Sequence, residues 1–173
     1  MQQALTVVVI GSPSPDQRHK LQFAEAAECL SARPGTVWIV EKTGYELSGI
    51  PLDHFTKFAP PGGLIWITPT HSLADVLNTF PDGSIGRLVV YSHGVPGLVA
   101  LRHGWGSAAP DYGLNISETA HLSGVKFTAD ADIEFNSCNT GDFDGRRESR
   151  SENCRKNWPS CPCVDWADFI HRN

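Results

Sequence analysis

The sequence predicts an α/β fold with a mostly parallel sheet. Three observations carry this: short runs rich in Val and Ile recur along the chain, helical patterns separate them, and Gly or Pro marks the joins. "LTVVVI" (Leu5 to Ile10) is a β-branched run closed by Gly-Ser-Pro-Ser-Pro, a strand and then a loop. "DQRHKLQFAEAAECLSA" follows, with Leu21, Ala24, Cys29 and Leu30 at near-helical spacing and Gly35 as a stop. "TVWIVEK" (Thr36 to Lys42) reads as a second strand, and Gly62-Gly63 introduces a third, "LIWIT". "SLADVLNTF" is then a helix with Ser72 as N-cap and Asp75 in its first turn.

Gly86 opens a fourth strand, "RLVVYS", which ends on Ser92-His93-Gly94. Between Gly94 and Asp130 the pattern loosens: "GLVAL" reads as a short strand and "ISETAHLSGVKF" as a short helix leading to a turn. "ADIEFNSC" repeats the earlier grammar, a strand over "DIEF" that ends in small polar residues and Cys138. From about 141 to 163 the chain is polar, charged and Pro-containing, an insert loop within a single domain spanning 1–173. "VDWADFIHRN" resumes a helical pattern.

Composition limits the function classes. Hydrophobic residues make up 40% and charged residues 19%, which fits a globular chain large enough for its own core. The net charge of −5 offers no general attraction to nucleic acid. A basic run from Arg146 to Lys156 is too short, and too mixed with Glu148 and Glu152, to change that. No run approaches the ~20 apolar residues that span a bilayer, so no membrane is expected as a partner. The N-terminal apolar run has no Lys or Arg before it and is a poor signal peptide. Five cysteines, an odd number, argue against a complete disulfide framework. Together these predict a cytoplasmic protein, or one exported without a cleaved signal.

In an open parallel sheet, ligands bind outside the carboxyl ends of the strands. His93 and Cys138 both fall at that edge. A lone His at a strand end is usually a turn residue, and a lone Cys is usually buried packing. Both occur here at strand ends, each with Gly close behind. A thiol needs a base nearby to become a nucleophile, so a Cys and a His on adjacent strand ends are expected to form a nucleophile–base pair. Gly94 leaves a backbone N–H approachable, as an oxyanion site requires.

"YSHGVPGLVAL" and "ADIEFNSCNTG" resemble the two motifs of the caspase-like (clan CD) cysteine peptidases, most of all the bacterial CHAT-type branch. The resemblance implies a caspase-like three-layer sandwich and a cysteine endopeptidase, as a bacterial effector or toxin or a self-processing module. It implies His93 as base, Cys138 as nucleophile, and the N–H groups of Gly94 and Cys138 as the oxyanion hole. Its substrate would be a protein or peptide, and no cofactor or metal is called for. Asn136, two residues before the nucleophile, would line the substrate pocket, and Asp142 and Asp144 could add negative charge there. In the family the Cys motif is followed by a helix and further strands. Here that completion would come from chain beyond Asn173 or from a partner segment. The insert lies where relatives are cut during activation, so it is expected to gate the cleft and to be cut after Arg147 or Arg150.

Competing readings differ in class. One is a catalytically inactive caspase-like interaction module. Another is an α/β-hydrolase-like esterase, because "HGVPG" also resembles an oxyanion turn of that family; the G-x-S-x-G elbow is absent around Cys138. A third is a structural zinc site from Cys154, Cys161, Cys163 and His171, whose spacing matches no common knuckle. His103-Gly104, with no strand discerned before it, reads as a turn, and His54, His71 and His121 as surface residues. Asn115-Ile116-Ser117 fits a glycosylation sequon of little weight without a secretion signal.

Overall fold

The computed structural model describes residues 3–137. Within them, strands β1 (Leu5–Ile10), β2 (Thr36–Glu41), β3 (Leu64–Ile67), β4 (Ile85–Tyr91) and β8 (Phe127–Asn136) form one sheet in the order β3-β2-β1-β4-β8. Every pairing in it is parallel. The predicted α/β class and mostly parallel sheet are therefore present.

Alternation along the strands explains the layers. Val7 and Val9 point to one face and Val8 and Ile10 to the other, and all four are fully buried. On the second face lie α1 (Gln22–Ser31), α2 (Lys42–Leu47) and α3 (Asp53–Phe58), which contribute Phe23, Ala27, Leu30, Tyr45 and Phe55. On the first face lie Leu73, Ala74 and Leu77 of α4 (Leu73–Asn78). A small antiparallel sheet adds to that face: β5 (His93–Val95), β6 (Leu98–Arg102) and β7 (Tyr112–Asn115) supply Val99, Leu101 and Leu114. The sheet is thus sandwiched between two apolar layers.

Several local expectations hold. Ser72 caps α4 with a full capping box to Asp75, and Gly35 follows α1 with φ 74°. "GLVAL" is strand, as β6. Others need correction. Cys29 is exposed on α1, and the buried stripe there is Phe23, Ala24, Ala27 and Leu30. His54 is half-buried, 3.2 Å from Glu28 and edge-on to Phe55, rather than on open surface. The "ISETAHLSGVKF" stretch holds only a four-residue helix, α5 (Ile116–Thr119), capped by Asn115. The last strand begins at Phe127, well before "DIEF".

β1 pairs with β2 on one side and β4 on the other. Strand order therefore reverses between β1 and β4, the switch point where open α/β sheets leave a crevice at the carboxyl ends. Among the described residues no helix is long and apolar enough to cross a membrane.

Candidate active site at the switch point

Two chain segments leave the sheet at this crevice, the 11–15 loop after β1 and the Ser92-His93 step after β4. The loop is held along its length. Gly11 N–H donates to Tyr91 O at 2.8 Å and Ser12 N–H to Leu101 O at 2.7 Å. Pro13 O accepts from Trp105 Nε1 at 3.1 Å. Ser14 N–H donates to His93 Nε2 at 3.2 Å, and Lys20 Nζ donates to Ser14 O at 2.9 Å.

His93 opens β5, where it pairs with Ala100. The β5–β6 turn is Val95-Pro96-Gly97-Leu98, with Gly97 at φ 79°, so the Pro-Gly of "HGVPG" closes a two-residue hairpin. Gly94 lies in β5 opposite Val99. The His93 ring is half-buried, with Phe23 edge-on at 5.0 Å and His103 tilted at 5.9 Å.

A backbone N–H can only donate, so Nε2 carries the lone pair and His93 is neutral with its proton on Nδ1. Burial, and next the charge of His103, push the His93 pKa down to about 4; Asp111 opposes them weakly.

His103 and Asp111 were not legible as site residues. His103 directly follows β6, so its reading as a turn without a preceding strand is corrected. Its Nδ1 lies 2.7 Å from Asp111 Oδ2, and Gly104 N–H donates to Asp111 Oδ1 at 2.9 Å. Burial tends to raise the Asp111 pKa, but the Gly104 and His103 hydrogen bonds outweigh it and hold the carboxyl below its ordinary value. The available signal was the repeated His-Gly after an apolar run.

Beneath the loop lies a buried charged pair. Glu41, fully buried at the end of β2, accepts from Thr43 N–H and Gly44 N–H and faces Arg102 Nη1 at 3.4 Å. Burial raises its pKa, and those hydrogen bonds, Ser12 and Arg102 pull against the rise. Arg102 in turn donates to Pro110 O from Nη2 at 2.7 Å and Nε at 3.1 Å.

β4 pairs with β8 so that Tyr91 lies opposite Asn136, and Ser92 N–H reaches Asn136 O at 3.4 Å. Asn136 is half-buried, and its Nδ2 donates to Glu134 Oε1 at 3.0 Å. Glu134 also pairs with Arg87 at 2.7 Å, so the carboxylate beside this position is already matched by a cation. Ser137 is buried. Cys138 lies outside the described residues, as do Asp142, Asp144, the 141–163 insert, the late cysteines and His171. Among the described residues no group of three His, Cys, Asp or Glu could hold a metal ion.

The chain matches no protein-family model, and neither a curated protein nor a solved structure is significantly similar to it.

Proposed function

We propose that this protein is a caspase-like cysteine endopeptidase that cleaves protein or peptide substrates with His93 as base and Cys138 as nucleophile. The observation that carries the reading is the parallel pairing of β4 with β8, Tyr91 opposite Asn136. The strand that leads into His93 and the strand that leads into Cys138 are neighbours, run the same way and stop together beside the switch point.

His93 is unprotonated, as a general base must be before it takes a proton, and its pKa of about 4 makes it a weak base. The Cys138 thiol gives its proton to the imidazole as its sulfur attacks the scissile carbonyl carbon. The proton then passes to the departing amine, leaving a thioester that water cleaves to free acid and thiol. The lone pair sits at Nε2, where Ser14 N–H now donates, so protonation there requires giving up that bond. Backbone N–H groups of Gly94 and Cys138 would stabilise the oxyanion, and Asn136 would line the pocket for the residue before the scissile bond.

A peptide ending in an electrophilic ketone, reacted at neutral pH and mapped by mass spectrometry, tests this. Selective modification of Cys138 over the other four cysteines, lost in His93→Ala, is the expected result. Modification spread evenly over exposed thiols such as Cys29 would instead support an inactive interaction module.

A further inference from the structure

We propose that His103, anchored by Asp111, is a positioning residue that keeps the neighbouring His93 imidazole in its neutral form. The proposal deepens the peptidase reading and takes its catalytic meaning from it. The 5.9 Å approach of the two rings carries the coupling whether or not the protein cuts peptides.

The hairpin brings the rings together. His93 begins β5, His103 follows the end of β6, and Asp111 precedes β7; the strands are antiparallel, so all three lie at the same end of the small sheet. Asp111 fixes the His103 ring through Nδ1 at 2.7 Å, and Gly104 N–H fixes Asp111 at 2.9 Å. This clamp holds His103 with its centroid 5.9 Å from that of His93. A charge at that range, beside a half-buried ring, acts against a second positive charge. Ser14 N–H works in the same direction, because an imidazolium would set donor against donor at Nε2.

The other charged groups near the ring are accounted for. Asp111 favours protonation of His93, in opposition to His103. Lys20 is bound to Ser14 O and Pro15 O, and Arg102 to Pro110 O and Glu41. From the helix side His93 meets the uncharged Phe23. A site that needs an unprotonated base in an acidic medium gains from this arrangement.

Titration of the His93 Cε1–H signal by NMR, in full-length protein with labelled histidine, tests the coupling without requiring activity. Wild type should titrate near 4. His103→Gln, which keeps an N–H donor toward Asp111, should raise the midpoint by about one pH unit. His103→Arg, which keeps a donor and a permanent charge, should leave it low. A midpoint unmoved by His103→Gln, or raised equally by both substitutions, would overturn the proposal, since packing changes alone treat the two alike. In active enzyme the acid limb of kcat/KM should move up with His103→Gln. If the variants shift the His93 midpoint as expected and wild type cleaves no peptide, the peptidase reading is refuted and the coupling stands.

Discussion

The His93 ring is held between Ser14 N–H, the Phe23 ring and the His103 ring. Its pKa is about 4 in the folded chain against an ordinary 6.5, so the unfolded chain binds a proton more readily. The stability this contributes is complete above pH 6.5 and is lost as pH falls from 6.5 through about 4. Urea midpoints measured across that window should fall less steeply in His93→Gln than in wild type. Equal slopes would show that His93 titrates normally. Gly44 is a second single-residue test. A β-carbon there would overlap the buried Ser12 hydroxyl and lie 3.0 Å from Glu41 Oε2. Gly44→Ala should cost about 2–3 kcal/mol in urea unfolding and slow catalysis, because Ser12 belongs to the loop that reaches His93.

At the scale of elements, the small antiparallel sheet is tied to the main sheet through Arg102. Its guanidinium joins the 103–111 connection, at Pro110 O, to Glu41 at the end of β2. Both charges are buried, so removing one leaves the other uncompensated. Arg102→Ala should destabilise the fold by about 3–5 kcal/mol, whereas Glu41→Gln with Arg102→Met should recover most of that. Gln can still accept from Gly44 N–H. A double variant no more stable than Arg102→Ala would contradict this account of the pair. The elements also show what the residues could reveal in advance. Val-rich runs gave the parallel strands, and Ser72-x-x-Asp75 gave α4 with its cap. α2 escaped notice because it starts with no intervening loop on the last residue of β2 and contains Gly44. The His103–Asp111 clamp escaped because it closes across a loop, and nothing in local spacing marks such a contact.

Among the described residues, His93, His103, Asp111 and the end of β8 gather at one edge of the main sheet. Strand order reverses between β1 and β4, the stitched 11–15 loop covers that reversal, and β8 runs beside β4 toward the same side. Legibility at this scale was partial. The alternation of strands and helices implied the edge, and two strand-end motifs implied the pair, but the loop contacts around His93 depend on tertiary packing. Acyl transfer by thiol and imidazole uses only these side chains, so peptidase activity should survive EDTA. Stoichiometric zinc lost together with folding on chelation would instead assign the late cysteines a structural role. The most direct measurement of the central claim is cleavage of a mixed peptide library by wild type, Cys138→Ala and His93→Ala, each shown folded by circular dichroism. Cleavage by wild type alone is the expected result; a folded His93→Ala protein that cuts peptides at the wild-type rate would contradict it.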